Sequence, residues 1–243
     1  MTKNLVDLLW RDDVSTRADG QRGPRARHST DDVVDAAIEL ADAGGVAAMT
    51  IRALAQSLQL TTMSVYTHVN TRADLLVLMV DEVHSRMAAS PSVGEGWPVR
   101  VRLLAEENLG LFRAHPWMLD IEDPRVAVGP GTIAKYDREL RAFDGTGLSD
   151  VDRDGALSFV LDFVRATASR LRESAGREQF GPFWAEAGPR LAARLGDDFP
   201  LAQSVGRAAG EVMGGPYDAG VAWEFGIARV LDGLDGIIAD PPE

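Results

Sequence analysis

Helical periodicity is the feature that most constrains the fold of this chain. Apolar residues recur every three to four positions in nearly all periodic segments, and no segment alternates convincingly between apolar and polar residues as a half-buried strand does. With 243 residues, the chain can form one large domain or two smaller ones around a buried core. We therefore predict an all-α fold.

Three short helices and one long helix are predicted early in the chain. Ser29 or Thr30 is suited to cap the first helix, and Gly44-Gly45 is suited to end it. Thr50 is the expected cap of the segment TIRALAQSL, and Thr71 that of TRADLLVLMVDEVHSRMAA.

Acidic residues are unevenly distributed along the chain. The net charge of −12 argues at first against a nucleic-acid partner. However, no Asp or Glu occurs between Asp42 and Asp74, where the chain average would place about five. Residues 20–30 carry three arginines and no acid. Because phosphate binding requires local positive potential and not a basic pI, DNA binding stays open.

The segment LTTMSVYTHV, residues 60–69, lies inside this acid-free window. A helix that starts at Thr61 turns Val65 and Val69 inward, since they are four residues apart. Its outward face then consists of Thr62, Met63, Tyr66 and Thr67. Hydroxyls can bond base edges or phosphates, and methyl groups can contact the thymine methyl. A carboxylate on this face would be repelled by phosphate, so we predict that the face binds DNA.

The segment TIRALAQSLQLTTMSVYTHVNTRADLL resembles the helix-turn-helix of the TetR family of bacterial transcriptional repressors. The preceding DDVVDAAIELADAGGVAAMT is similar to the first helix and loop of that family, and the resemblance covers residues 28–82. It implies a ligand-responsive, dimeric transcriptional regulator. Such a protein would repress from an inverted-repeat operator and would be released by a small apolar or amphipathic effector.

The resemblance also implies roles for individual residues. Thr50 and Arg52 would contact the DNA backbone and a base, and Arg72 lies where the family usually has a phosphate-binding lysine. The full set of predicted DNA-binding residues is Arg25, Arg27, Thr50, Arg52, Thr61, Thr62, Met63, Tyr66, Thr67, His68 and Arg72.

The chain departs from the family in the turn of the motif. Gln59 stands where glycine is usual, and a non-glycine residue with positive φ costs about 1 kcal/mol. Met63, Thr67 and Asn70 also differ from common choices, which leaves the recognised base sequence open.

Structural interpretations compete with these functional ones. Taken alone, Tyr66 is also compatible with a half-buried aromatic in the core. His68 is equally compatible with a buried, hydrogen-bonded packing residue. Arg22, Arg25 and Arg27 would suit either a solvated tail or an arm that enters the minor groove.

Three regions follow from these patterns. Residues 1–27 are predicted as a basic, partly irregular arm with a short amphipathic turn, and residues 28–89 as the helix-turn-helix domain with its linking fourth helix. The Gly- and Pro-rich segment 90–98 is predicted to be a linker, and residues 97–240 to be a helical domain. The resemblance implies that this domain binds the effector and forms the dimer. By resemblance, helices near 149–175 and 218–239 would pair in a homodimer. The candidate effector-binding residues are Phe112, Trp117, Phe159, Phe163 and Trp184.

Other classes of function have little support in the sequence. The chain has no cysteine, no nucleophile elbow, no phosphate-binding glycine-rich loop and no zinc pattern. We therefore expect no enzymatic activity, no cofactor and no metal. No apolar run is long enough for a bilayer, so a cytoplasmic protein is expected. The alternative from another class is a helical ligand-binding or structural protein whose helix-turn-helix does not bind DNA.

Overall fold

The computed structural model describes residues 3–11, 28–88, 94–175, 180–196, 198–213 and 218–239. Every regular element among these residues is a helix and none is a strand, so the predicted all-α fold is confirmed. The chain forms two compact units, unit 1 (Met1–Gly145) and unit 2 (Thr146–Glu243). The domain boundaries predicted from composition stay a prediction.

Unit 1 contains seven α-helices within its described residues. They are α1 (Leu5–Leu9), α2 (Thr30–Ala48), α3 (Ile51–Ser57), α4 (Thr62–Val65), α5 (Arg72–Arg86), α6 (Trp97–Ala114) and α7 (Pro130–Leu140). Three short 3₁₀ segments join or extend them: Pro116–Asp120, Pro124–Val128 and Arg141–Phe143.

Local capping chemistry explains where several of these helices begin. Ser29 caps α2 in a reciprocal capping box with Asp32. The Thr50 hydroxyl accepts a hydrogen bond from the Ala53 amide in the first turn of α3, and the Thr71 hydroxyl accepts one from the Asp74 amide in the first turn of α5. Both caps were predicted. The predicted end of α2 at Gly44-Gly45 is instead an interruption: Gly45 adopts φ 73°, and helical structure resumes as far as Ala48.

The core of unit 1 gathers apolar side chains from α1, α2, α3 and α5 and from the 3₁₀ segment that contains Trp117. The amphipathic turn predicted near the N-terminus is α1, and its Leu8 and Leu9 are buried in this core. Burying a leucine side chain contributes about 1.5–3 kcal/mol, so α1 is held to the helix-turn-helix by its own apolar residues.

Unit 2 contains α8 (Asp150–Ala175), α9 (Phe180–Leu195), α10 (Pro200–Met213) and α11 (Ala219–Ala239). The Ser149 hydroxyl accepts from the Asp152 amide at 3.1 Å and so caps α8. Helices α8 and α11 pack together, with the Phe163 and Trp223 rings stacked at a centroid distance of 5.4 Å. Gly226 permits this approach, because a Cβ there would lie 2.4 Å from the Phe163 ring.

Candidate nucleic-acid interface

Helices α3 and α4 form a compact helix-turn-helix. The Leu60 amide donates to the Ala55 carbonyl at 2.8 Å and closes the turn. Val65 and Val69 are buried, at 0% and 1% exposure, as the sequence predicts. Gln59 adopts φ 56°, so the turn uses the left-handed conformation that the missing glycine would favour.

Helix α4 is only one turn long and is stabilised mainly by side chains. The Thr61 hydroxyl accepts from the Ser64 amide at 3.1 Å and lies 2.9 Å from the Ser64 hydroxyl. Bonds from the Thr67 and His68 amides to the Ser64 and Val65 carbonyls extend the turn to residue 68. The segment 61–68 is therefore a single capped unit with a defined outward face.

The outward face of this segment is exposed. Met63 is 74% exposed and Tyr66 is 46% exposed, and Thr62 and Thr67 are exposed beside them. The Thr67 hydroxyl donates to the Ser64 carbonyl at 2.6 Å, so its oxygen still has acceptor capacity toward solvent. Tyr66 is thus a surface residue and not a core aromatic.

Two predicted contacts at the edges of the motif have different surroundings. Arg52 is exposed on the first turn of α3. The Arg72 guanidinium, by contrast, donates from Nη2 to the Val46 carbonyl at 2.7 Å and from Nε to the Met49 carbonyl at 3.3 Å. Arg72 therefore ties the start of α5 to the end of α2, and Nη1 takes part in neither bond.

His68 is partly buried at the end of the segment 61–68, which we call the recognition segment. Burial lowers the pKa of His68 below its ordinary value, and the nearby Lys3 and His28 lower it further against the opposing effect of Asp32. The lowered pKa favours the neutral form of the His68 imidazole, which can donate or accept a hydrogen bond. Arg25 and Arg27 lie outside the described residues.

Sequence reasoning missed Lys3. Its backbone amide donates to Asn70 Oδ1 at 2.9 Å, Asn70 Nδ2 donates back to the Lys3 carbonyl at 2.8 Å, and Lys3 Nζ donates to the Thr67 carbonyl at 2.7 Å. The N-terminal segment thus clamps the end of the recognition segment. No local pattern could reveal this pairing, since the partners are more than sixty positions apart.

A chain of polar contacts leads from the recognition segment to the 3₁₀ segment Pro124–Val128. Asn70 Nδ2 donates to Asp74 Oδ2 at 3.2 Å, and Arg125 Nη1 donates to Asp74 Oδ1 at 2.9 Å. Arg125 Nη2 also pairs with Asp123 at 2.7 Å. Hydrogen bonds from the Arg125 side chain lower the pKa of the Asp123 carboxyl.

Helix α5 also packs closely on α7. A Cβ at Gly131 would lie 2.2 Å from the Asp81 carbonyl oxygen, so only glycine fits this crossing. The Asp81 carboxylate accepts from the Thr132 amide at 2.8 Å, which supplies α7 with the cap that its own Gly129 lacks. His84 Nδ1 and the Thr132 hydroxyl are 2.9 Å apart. The two helices are therefore joined by polar bonds as well as by close packing.

Residues 90–238 match the family model described as tetracyclin repressor-like, C-terminal domain. The HTH-type transcriptional repressor DrrR1 of Streptomyces coeruleorubidus is 30% identical over 241 residues, which cover 96% of this chain and 86% of DrrR1. The chain belongs to the TetR family.

Two further proteins illustrate this TetR-family relationship. The Streptomyces coelicolor TetR family protein ActR, solved in complex with actinorhodin, is 27% identical with a TM-score of 0.70, and the match covers 87% of this chain and 97% of ActR. The Escherichia coli class E tetracycline repressor is 29% identical over 132 residues, which are 51% of this chain and 59% of that repressor.

The predicted effector-binding residues of this TetR-family chain lie in both units. In unit 1, Trp117 is 2% exposed and donates from Nε1 to Asp42 Oδ1 at 2.7 Å, and Phe112 packs on the same core. The described contacts of Trp117 are thus those of a core residue. In unit 2, Phe163 is stacked on Trp223, and Phe159 is exposed. That the five residues line one pocket stays a prediction.

The remaining effector candidate, Trp184, lines an apolar groove between α9 and α10. The groove has a volume of about 520 Å³, and Gly188 and Leu191 also line it. This volume falls within the range of about 300–1,000 Å³ that is typical of small-molecule sites.

Helices α8 and α11 expose large apolar side chains within unit 2. Phe159 is 53% exposed on α8, and Phe225 is 66% exposed on α11. Val151 and Val221 are exposed on the same two helices. Surfaces of this kind mark interaction sites on soluble proteins.

The described residues contain neither a metal-binding cluster nor a membrane-spanning helix. No group of three or more His, Asp or Glu side chains in that part of the chain is arranged to hold a metal ion. None of the helices there is long and apolar enough to cross a membrane.

Proposed function

We propose that this TetR-family chain is a dimeric repressor that binds an inverted-repeat DNA operator and is released by a small effector. The observation that carries the proposal is the exposed, acid-free face of the capped recognition segment. Met63 and Tyr66 project from it, and no carboxylate occurs from residue 43 to residue 73. The similarity to DrrR1, a transcriptional repressor, supports repression over activation.

The DNA contacts are proposed to divide into two kinds. Tyr66, Met63 and the exposed threonines would read base edges in the major groove. Phosphates would be bound by the first-turn amides of α3 and α5, because helix N-termini attract anions. The guanidinium groups of Arg52 and Arg72 would bind further phosphates, although Arg72 already donates two hydrogen bonds within the protein. Thr50 and Thr61 cap their helices through their hydroxyls, so their part in DNA binding would be to orient these turns. Arg25 and Arg27 remain proposed contacts of the arm.

A homodimer through α8 and α11 is proposed because these helices expose apolar side chains that a second copy would cover. A two-fold dimer sets two recognition segments about one turn of DNA apart, roughly 34 Å, and the two-fold symmetry requires the two half-sites to form an inverted repeat.

Release by an effector is proposed to act through α5. This helix begins beside the recognition segment and is bonded to α7 through Asp81 and Thr132 and to Arg125 through Asp74. An effector that favours a shifted α7 would therefore move α5 and weaken operator binding by its coupling energy, typically about 1–3 kcal/mol. ActR, a relative of similar fold, was solved with the small molecule actinorhodin, which supports an effector of small-molecule size. Within this proposal the chain has no enzymatic role.

Selection from a random DNA pool tests the proposal. The purified full chain would be incubated with random duplexes at physiological salt, and the bound fraction would be sequenced. Enrichment of an inverted repeat is expected, and its affinity should fall steeply with added salt, because phosphate contacts release counterions. Absence of enrichment would contradict the proposal and favour a helical binding protein whose motif only packs.

A second measurement is needed to distinguish repression from activation. The selected sequence would be inserted between a promoter and a reporter gene, and expression would be compared with and without the protein. Repression is expected, and increased expression would overturn the repressor assignment while leaving DNA binding intact.

A further inference from the structure

Lys3 places a positive charge at the end of the recognition segment, although it lies far from that segment in the sequence. Its Nζ donates to the Thr67 carbonyl at 2.7 Å, and its backbone exchanges two hydrogen bonds with the Asn70 side chain. Lys3 and Thr67 are both exposed. The ammonium group therefore lies in solvent beside a residue of the proposed DNA-reading face.

The N-terminal segment holds Lys3 in this position from both of its ends. Helix α1, which begins two residues after Lys3, is anchored in the core of unit 1 by the buried Leu8 and Leu9. Beyond α1, the Trp10 indole donates from Nε1 to the Val128 carbonyl at 3.0 Å. A side chain that is already positioned loses less conformational freedom when it binds a partner, and this favours binding.

The charge of Lys3 is not neutralised by a carboxylate within the described part of the chain. Asp74, which accepts from Asn70, is buried and is paired with Arg125 at 2.9 Å. An ammonium group has three N–H donors, and the Thr67 carbonyl occupies one of them. Two donors and the positive charge of Lys3 therefore remain for an anion.

We propose that Lys3 binds a phosphate of the operator backbone at the end of the recognition segment. This inference rests on the proposed DNA binding and adds a contact from outside the helix-turn-helix. Phosphate is the favoured anion, because Lys3 adjoins a face that the acid-free window from residue 43 to residue 73 makes suitable for DNA. Phosphate contacts fix the position of a protein on DNA but carry no sequence information, so Lys3 would strengthen binding without changing the preferred sequence.

The salt dependence of operator binding tests this contact. Lys3→Met removes the charge and keeps an unbranched side chain, and fluorescence anisotropy with the selected operator would measure its affinity at several salt concentrations. At physiological salt the affinity should fall by about tenfold or more. The slope of log affinity against log salt should become less steep by about 0.9 for each chain bound, or by about 2 for a dimer, because fewer counterions are released.

Two further variants separate the phosphate contact from other effects of the substitution. Lys3→Arg should keep the salt slope of the unchanged chain, since a guanidinium also binds phosphate. The matched control is Arg141→Gln, which removes a positive charge of unit 1 that is 70% exposed and outside the helix-turn-helix. It should keep both the affinity and the slope, which excludes a general effect of net charge.

Sequence preference provides a second readout for Lys3→Met. An operator with one base pair changed in each half-site should lose affinity by the same factor for this variant and for the unchanged chain, because a phosphate contact acts equally on all sequences. Thermal melting without DNA establishes that the variant is folded, and Lys3→Gln serves if it is not.

Three results would overturn the proposal. Unchanged affinity of Lys3→Met would exclude the contact. Reduced affinity with the salt slope of the unchanged chain would show that Lys3 acts only by holding the Thr67 carbonyl, and an altered sequence preference would assign it to base recognition. In each case the unchanged chain still binds the operator with steep salt dependence. If the unchanged chain itself bound no duplex, the proposed function would fail, and the Lys3 contact with it.

Discussion

Gln59 occupies the left-handed region in the turn between α3 and α4, with φ 56°. A side chain with a Cβ is strained there, whereas glycine is not. We expect Gln59→Gly to raise the free energy of unfolding by about 1 kcal/mol relative to Gln59→Ala. Urea denaturation of the two variants measures this difference, and using alanine as the reference removes the contribution of the glutamine side chain. A glycine variant no more stable than the alanine variant would contradict a strained turn.

His84 makes the stability of the protein sensitive to pH at the residue scale. Its pKa is lowered to about 3 by burial and by Lys135 and Arg138, while the unfolded chain takes up this proton near pH 6.5. Between these values the unfolded state binds more protons, so the free energy of unfolding falls as the pH falls. His68 acts in the same direction, because its pKa is also lowered.

The loss attributable to His84 between pH 6.5 and pH 5 is about 2 kcal/mol. Urea denaturation at several pH values measures it, and His84→Gln should show a flatter dependence over this interval. Equal slopes for the variant and the unchanged chain would refute this account of His84.

At the scale of elements, one substitution in the recognition segment should change DNA affinity while leaving folding stability nearly unchanged. Tyr66 is 46% exposed, so Tyr66→Ala should change the free energy of unfolding by less than about 1 kcal/mol. The same change should weaken binding to the selected operator by about tenfold or more, because it removes a proposed contact to the major groove.

The matched control for Tyr66 is Tyr136→Ala on α7, since Tyr136 is 43% exposed and lies outside the helix-turn-helix. Fluorescence anisotropy with labelled operator compares the two. Similar affinities for both variants would count against Tyr66 as a DNA contact.

The crossing of α5 and α7 depends on one glycine. Gly131→Ala would bring a methyl group to 2.2 Å from the Asp81 carbonyl oxygen and force the helices apart. Overpacking of this kind costs about 1–3 kcal/mol. Thermal and urea denaturation should therefore show a less stable protein.

Gly110→Ala on α6 is the control for this crossing, because a Cβ at Gly110 would meet no atom within 4 Å. Alanine is a better helix former than glycine by about 0.5–1 kcal/mol, so this variant should be more stable than the unchanged chain. If both variants shifted stability in the same direction, the close crossing would not be the cause.

At the scale of the whole molecule, the proposed repressor requires two copies. Phe225 is 66% exposed on α11, and Phe225→Glu would introduce a charge where the second copy is expected to pack. We expect this variant to have the mass of one chain by light scattering and to lose affinity for the full inverted repeat.

Phe183→Glu on α9 is the control for the dimer, since Phe183 is also exposed, at 59%, but lies outside the proposed interface. It should keep the mass of two chains. A dimeric Phe225→Glu variant would remove α11 from the proposed interface.

The sequence by itself determined the features that depend on near neighbours. Helix caps at Ser29, Thr50 and Thr71, the inward Val65 and Val69 and the exposed face with Tyr66 all follow from spacings of three or four residues. A capping hydroxyl and its amide are only three residues apart along the chain, so their geometry is nearly independent of the rest of the molecule.

Only the tertiary structure decided which distant groups meet. Lys3 pairs with Asn70, Arg125 with Asp74, and Trp117 with Asp42, across 51 to 75 positions of sequence. Trp117 shows the consequence: its indole is buried and donates to Asp42 of α2, a partner that no pattern near Trp117 in the sequence indicates. Apolar periodicity along a helix indicates that one face is buried, but it does not indicate which part of the chain packs on that face. The packing of other helices supplies that information, and with it the polar partners that connect the recognition segment to the rest of unit 1.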